Sequence, residues 1–197
     1  MKKEIAFFDF DGTITTKDTL LEFIKFTRGR PRFYLGFFIN LPYIIAYKLR
    51  IISNHSAKEK ILRFFFKNTP FESFKNYCDA FSKNVLPKFI REKALEEIQR
   101  LKHQDITVVV VSASPENWIE DWVKKYEVEL VASKLEVKDQ KLTGKISGKN
   151  CHGAEKVVRI CKSYNLSDFN VVAAYGDSKG DWPMLQLAQK AYYKPFN

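Results

Sequence analysis

The first clear hydrophobic pattern lies near the start of the chain. The apolar run over residues 5–8 is short and ends in Asp9-Phe10-Asp11-Gly12-Thr13, which predicts a buried strand followed by a turn. Strand side chains alternate between faces, so Asp9 and Asp11 are expected on one side and Phe10 on the other. Two carboxylates at such a strand end repel each other and lose hydration, which raises a pKa or recruits a cation. The alternative is a plain Asp-Gly turn.

A long helical segment comes next. Thr15-Thr16-Lys17-Asp18 predicts a helix start, and apolar residues then recur at helical spacing. The spacing predicts helices over residues 19–28, 56–67, 71–84 and 89–103. Because no strand pattern interrupts residues 15–90, this segment is predicted to be an all-helical cap inserted into a core of residues 1–14 and 91–197.

Residues 33–52 form the most hydrophobic part of the chain. The uncharged run before Lys48 is shorter than the roughly 20 residues of a membrane-spanning helix, and it contains Asn40 and Pro42. Arg28, Arg30 and Arg32 precede it, and Lys48 and Arg50 follow it. The pattern therefore predicts either the apolar core of the cap or a helix lying at a membrane surface.

The second half of the chain alternates strands with helices. The β-branched run 107–111 is typical of a buried parallel strand, and Ser114-Pro115 after it predicts a capped helix. Further strands are predicted over 130–132, 171–175 and 191–193, a hairpin over 135–147, and helices over 116–126, 154–164 and 181–189. This order predicts an α/β fold with a parallel sheet covered on both faces.

Composition narrows the possible partners. The chain has 197 residues, 45% of them hydrophobic, and a formal net charge of +10, which favours anionic partners such as phosphates or acidic membranes. The basic residues are spread along the chain, so no nucleic-acid interface is predicted. The three cysteines cannot all pair and show no metal-binding spacing, which favours a reducing cytosol.

Polar groups follow three of the predicted strands. Asp9 and Asp11 follow the first, Ser112 and Ser114 the second, and Asp177 and Asp181 come after 171–175. In a parallel sheet these strand ends meet at one edge, where ligands bind. Ser112 and the amides that begin the next helix predict an anion site. Four carboxylates beside an anion site require a cation, and hard oxygen ligands with a phosphate partner indicate Mg²⁺.

Each of these residues also has an ordinary structural explanation. Ser112 and Ser114 are common helix caps, Asp181 is a suitable N-cap, Asp177 fits a Gly-Asp turn, and Lys156 fits an exposed helical position. Independent coincidences would not all fall at strand ends in this order, however. The joint pattern therefore favours a site.

At this point the chain resembles a known family. The matching segments are Asp9-Phe10-Asp11-Gly12-Thr13, Ser112-Ala113-Ser114, Lys156 and Gly176-Asp177-Ser178-Lys179-Gly180-Asp181. They resemble the four motifs of the haloacid dehalogenase-like hydrolases. The helical insert and Asn150-Cys151-His152-Gly153-Ala154-Glu155-Lys156 are similar to the small IB-type bacterial members of the phosphoserine-phosphatase-like branch.

The resemblance implies a Rossmann-like core, Mg²⁺ and phosphomonoester hydrolysis. It implies Asp9 as nucleophile, Asp11 as general acid and base, and Ser112, Ala113 and Lys156 as phosphate ligands. Asp9, Asp11 and Asp177 would hold the metal, with Asp181 supporting the metal site. General chemistry agrees, since a phosphate dianion repels nucleophiles until its charge is neutralised.

Substrate choice is the open question. Asp18 stands where phosphoserine phosphatases have Glu, and their Ser-Gly-Gly is replaced by Ser112-Ala113-Ser114, which argues against phosphoserine. The helical insert must select the substrate, and its apolar stretch with basic flanks favours a lipid or other amphipathic phosphate and contact with an anionic membrane from the cytoplasmic side. The alternatives are a small soluble phosphate ester, phosphotransfer to another hydroxyl, and a membrane-surface adaptor without catalysis.

Overall fold

The computed structural model describes residues 2–196 and has a mixed sheet with helices on both faces. Its strands are β1 (Lys3–Phe8), β2 (Thr107–Pro115), β3 (Glu129–Lys138), β4 (Lys141–Ser147), β5 (Phe169–Gly176) and β6 (Lys190–Tyr193). Their order across the sheet is β4-β3-β2-β1-β5-β6. The β3–β4 pair is antiparallel and the other neighbours are parallel. The predicted α/β class is therefore confirmed.

Nine α-helices lie within the described residues. They are α1 (Thr19–Arg28), α2 (Arg30–Ile39), α3 (Leu41–Lys48), α4 (Asn54–Phe66), α5 (Phe71–Asn84), α6 (Glu92–His103), α7 (Glu120–Tyr126), α8 (Ala154–Ser163) and α9 (Trp182–Leu185). The first five follow one another without an intervening strand, as the sequence predicts. None of the helices in residues 2–196 is long and apolar enough to cross a membrane.

Several predicted boundaries were wrong. Strand β2 continues through the Ser112–Pro115 segment, so Ser114 does not cap a helix, and a short 3₁₀ turn (Glu116–Trp118) precedes α7. Strand β3 runs on into the hairpin, α6 begins three residues later than predicted, and α9 has only four residues. Short-range patterns leave such ends undetermined because tertiary contacts fix them.

Alternation along the central strands builds a core on each face of the sheet. Ile5 and Phe7 of β1 pack on one face with Val109 and Ile160. Residues of β1 and β2 that point the other way join a larger cluster that continues into the helical insert. There Phe23 of α1 stacks on Trp118, with ring centroids 4.5 Å apart, so core and insert share one apolar interior.

Two connecting segments run side by side where the insert begins and ends. Thr15 and Ile90 form an isolated antiparallel bridge, and Thr16 N donates to the carbonyl of Phe89 at 2.7 Å. Helix α4 of the insert contacts the β3–β4 hairpin, where Ile146 N donates to Glu59 at 2.9 Å. A division into core and cap at 14/15 and 90/91 remains our proposal.

Phe23→Ala tests the shared interior. Phe23 is fully buried, whereas Phe26 in the same helix is 41% exposed. Removing the buried ring leaves a cavity, so we expect a loss of about 3–5 kcal/mol in the free energy of unfolding, against less than about 1 kcal/mol for Phe26→Ala. Urea denaturation, monitored by circular dichroism, measures the free energy of unfolding of both variants. Equal losses would show that α1 does not join core and insert through Phe23.

Candidate active site

A tight turn directly after β1 brings the first acidic residue to the sheet edge. Asp9 N donates to the carbonyl of Tyr175 at 2.9 Å, which fixes Asp9 between β1 and β5. Gly12 then adopts φ +86°, and a Cβ atom there would lie 2.3 Å from Oδ2 of Asp177. Glycine is therefore required both by the backbone conformation and by the close approach to Asp177.

Lys156 forms the centre of the site. Its Nζ donates to Oδ1 of Asp9 at 2.5 Å, to the carbonyl of Val111 at 2.8 Å and to Oδ1 of Asp181 at 2.7 Å. The side chain is buried. Burial alone would lower the pKa of Lys156, but Asp9 and Asp181 outweigh burial and hold that pKa above its ordinary value. The ammonium group therefore stays charged. It is not the exposed helical lysine of the ordinary alternative.

Asp181 braces the turn after β5. Its Oδ2 accepts hydrogen bonds from Ser178 N at 2.9 Å and Ser178 Oγ at 2.8 Å, and a longer one from Asp177 N at 3.2 Å. Burial alone would raise the pKa of Asp181, but Lys156 and Ser178 hold it below its usual range. Both oxygens of this carboxylate are thus already engaged, which suits a supporting role.

Asp9, Asp177 and Asp181 form an acidic cluster that suits a divalent cation. One carboxylate oxygen from each lies within 4.8 Å of the others. Burial raises the pKa of Asp9 to about 7 against the opposing effect of Lys156. Burial and the nearby Asp181 also raise the pKa of Asp177, whose carboxylate accepts no hydrogen bond within residues 2–196. Hard oxygen donors with excess negative charge are the ligands Mg²⁺ prefers.

Asp11 lies outside this cluster. Its Oδ1 accepts from Thr19 N at 2.6 Å and its Oδ2 from Ser114 Oγ at 2.6 Å. Ser114 in turn accepts from Thr19 Oγ1 at 3.2 Å, and Trp118 Nε1 donates to that same Thr19 oxygen at 3.0 Å. The Asp11 side chain is therefore not among the carboxylates whose oxygens lie within 4.8 Å of one another, and its role as a metal ligand stays a prediction. Ser114 contacts Asp11 in place of the predicted helix cap.

Two of the predicted phosphate ligands belong to the end of β2. Ser112 is fully buried and its Oγ accepts from Ser114 N at 3.0 Å. Ala113 lines a cavity next to Asp9, and its carbonyl accepts from Lys58 Nζ at 2.8 Å. The anion site was expected at the N-terminus of a helix that follows Ser112. Instead, β2 continues through Ala113, and a three-residue 3₁₀ turn follows the strand.

A cavity of about 520 Å³ opens above these residues. Its floor is acidic and is formed by Asp9, Asp11, Asp177 and Asp181. Its walls include apolar side chains of the helical insert: Leu20, Leu21, Phe37, Ile44, Tyr47 and Ile61. The cavity therefore combines acidic residues of the strand ends with apolar residues of the insert.

Lys58 and His152 are among the polar residues of this cavity to which the sequence analysis assigned no role. Lys58 precedes Ile61 by three positions and Leu62 by four, so a lysine on the apolar stripe of α4 was the available signal. Burial, with Lys156 nearby, lowers the pKa of the His152 imidazole, which favours its neutral form. His152 also packs tightly, because a Cβ on Gly180 would lie 2.4 Å from its Nε2.

Comparison with known proteins decides the family. Residues 6–186 match the haloacid dehalogenase-like hydrolases. The chain belongs to this family. Among its relatives is Protein CicA of Caulobacter vibrioides, which is 31% identical over 193 residues, covering 96% of this chain and 85% of the relative.

Solved structures share the same fold. A Bordetella pertussis Tohama I protein of unknown function matches with a TM-score of 0.80 at 20% identity, covering 94% of this chain and 87% of the other. A phosphoserine phosphatase solved as a phospho-aspartyl intermediate analogue matches with a TM-score of 0.63 at 22% identity, covering 96% and 86%. At these identities the likeness establishes the hydrolase fold of this family member and leaves its substrate open.

Mg²⁺ is expected to stabilise the folded protein through the acidic cluster. A ligand that binds only the native state at a hundred times its Kd adds about 2.7 kcal/mol, or about 5–10 °C in Tm for a chain of this size. Asp177→Asn should remove most of that shift, whereas Asp105→Asn, an exposed change before β2, should keep it. Differential scanning calorimetry with and without Mg²⁺ measures the shifts. Equal shifts in both variants would exclude Asp177 as a ligand.

Proposed function

We propose that this protein is a phosphoric monoester hydrolase that works through an aspartyl-phosphate on Asp9. The carrying observation is the position of Asp9 on the floor of the cavity, held by Lys156 Nζ at 2.5 Å. A carboxylate fixed at the end of a buried strand can attack a phosphorus atom presented from the cavity. The phospho-aspartyl analogue of the structurally similar phosphoserine phosphatase supports this chemistry.

Asp9 must be ionised to attack. Since burial raises its pKa to about 7, additional positive charge is needed beside it. Mg²⁺ held by Asp9 and Asp177 would lower that pKa and neutralise the substrate phosphate. Lys156 supplies a second, permanent positive charge, and Asp181 keeps Lys156 and the Asp177 backbone in place.

We assign the proton transfers to Asp11. As the Asp9 oxygen forms its bond to phosphorus, the bond from phosphorus to the leaving oxygen breaks, and Asp11 donates a proton to that oxygen. Asp11 then takes a proton from the water that hydrolyses the aspartyl-phosphate, which releases inorganic phosphate. The Ser114 hydroxyl at 2.6 Å can donate to the carboxylate or accept from the acid, so it orients Asp11 in both states.

The cavity walls favour a phosphate ester with an apolar portion, including a lipid phosphate. Phe37, Ile44 and Tyr47 face the same space as the carboxylates, and burial of an apolar group against them is favourable. Lys58 provides a cation for a second polar group of the substrate. A small soluble phosphate ester, or transfer of the phosphoryl group to a hydroxyl other than water, is the alternative.

Asp9→Asn tests the nucleophile. The amide cannot attack phosphorus, so release of inorganic phosphate should disappear across a panel of soluble, alkyl and lipid phosphates while the circular dichroism spectrum is unchanged. Asp168→Asn, an exposed change far from the cavity, is the control and should retain full turnover. Near-normal turnover by Asp9→Asn would reject the assignment. If the wild-type protein prefers small soluble esters, the proposal of an apolar substrate is rejected and the assignment of Asp9 as nucleophile is unaffected.

Asp11→Asn tests the acid. Loss of general acid and base help typically costs about a hundredfold or more, and poor leaving groups depend on it most. We therefore expect a larger fall in kcat for an alkyl phosphate than for nitrophenyl phosphate. Equal falls for the two esters would argue that Asp11 has no role in protonating the leaving oxygen.

A further inference from the structure

An exposed apolar surface lies on the helical insert. We call it the α2–α3 surface and define it by Tyr34, Leu35, Phe38, Ile39, Leu49 and Ile51, whose exposed fractions run from 50% for Ile39 to 74% for Phe38. Within α3 no residue is fully buried. Contiguous exposed groups of large apolar side chains mark interaction sites in soluble domains.

The face of α2 that lies opposite the exposed side chains is packed against α4, and this packing fixes the orientation of the helix. Phe33 is buried, and a Cβ on Gly36 would lie 2.2 Å from the Phe65 ring of α4. Asn40 Nδ2 donates to the carbonyl of Gly36 at 2.8 Å and secures the junction with α3. Rotating α2 to bury Phe38 would break this close packing.

The charge around the surface has one sign. Residues 23–58 contain seven Lys and Arg residues and no Asp or Glu. Arg30 and Arg32 lie exposed at the start of α2, and Lys48 and Arg50 lie exposed at the end of α3. Exposed aromatic and aliphatic side chains in a segment whose exposed charges are all basic complement a surface that is apolar below and anionic above.

We propose that the α2–α3 surface docks on an anionic lipid bilayer. Its apolar side chains would enter the boundary between headgroups and acyl chains while Arg30, Arg32 and Arg50 contact lipid phosphates. Phe37, Ile44 and Tyr47, on the same two helices, line the cavity, so a docked protein has that wall of the cavity next to the membrane. Docking itself does not require catalysis; only its use in delivering a lipid phosphate rests on the proposed function.

Vesicle co-sedimentation tests the proposal. Wild type should bind vesicles of phosphatidylglycerol at low ionic strength and bind phosphatidylcholine vesicles far more weakly. Each basic residue near an anionic surface contributes about 1 kcal/mol, so the triple variant Arg30→Gln, Arg32→Gln, Arg50→Gln should bind roughly a hundredfold more weakly. The control is a second triple variant, Lys138→Gln, Lys145→Gln, Lys162→Gln, which removes the same charge from exposed positions outside the insert. It should bind within a fewfold of wild type.

Phe38→Glu tests the apolar contribution. It should weaken binding about tenfold or more, because a large apolar group leaves the boundary region and a negative charge is added. Val158→Glu, at a position 43% exposed on α8, is the matched control. Both single variants and the charge variant should keep wild-type turnover of nitrophenyl phosphate, and Asp9→Asn should still bind vesicles. This separates docking from catalysis.

Two results would overturn the proposal. In the first, Phe38→Glu binds vesicles as well as Val158→Glu does, and the two triple charge variants also bind equally. That result would show that net charge alone attracts the protein to vesicles. The other is a wild-type dimer in analytical ultracentrifugation that Phe38→Glu converts to monomer, with no vesicle binding. In that case a second copy of the chain covers the surface.

Discussion

The buried ammonium group of Lys156 holds the candidate site together. It joins α8 to Asp9 after β1, to the Val111 carbonyl in β2 and to Asp181 after β5. Removing one partner of such a group leaves uncompensated buried charge, which typically costs several kcal/mol. One ammonium cannot balance three nearby carboxylates, however. If Asp9, Asp177 and Asp181 are all ionised, two negative charges remain, and this excess is the physical reason to expect a cation.

The parts of the fold set by short-range patterns were predictable. The apolar run before Asp9, the β-branched run before Ser112 and the strand before Gly176 all form neighbouring parallel strands, and their ends meet as expected. Adjacency of these ends follows from parallel pairing, because the register of one strand with the next fixes where both finish. Chemistry that depends on strand ends can therefore be located from sequence.

Side-chain orientation was less predictable. Asp11 was expected on the same side as Asp9, but the chain turns immediately after Asp9, so strand alternation no longer governs Asp11. Its donors are Thr19 N, eight residues further along the chain, and Ser114 Oγ, 103 residues further along. The extension of β2 through Ser114 depends on pairing with β3, and neither contact leaves a local signal in the sequence.

The helical insert shows a third limit. A helix that is apolar all round is typical either of a protein interior or of a membrane environment, so periodicity alone could not distinguish the two for residues 33–52. In α2 the face that carries Gly36 packs against α4, because a Cβ there would lie 2.2 Å from the Phe65 ring. Tyr34, Leu35 and Phe38 of the same helix are exposed.

The cavity is lined both by residues at the ends of the strands and by residues of the helical insert. Strand ends supply a floor with excess negative charge, whereas helices of the insert supply apolar walls and the Lys58 ammonium group. Lys58 donates to the Ala113 carbonyl at 2.8 Å, so the insert contacts the last residues of β2, which line the cavity together with Asp9. Because the floor interacts with any phosphoryl group in the same way, differences between substrates must arise at the walls. Helices α2 and α3 contribute Phe37, Ile44 and Tyr47 to the apolar wall and also carry exposed apolar side chains outside the cavity, so one short stretch of the chain supplies residues to both surfaces.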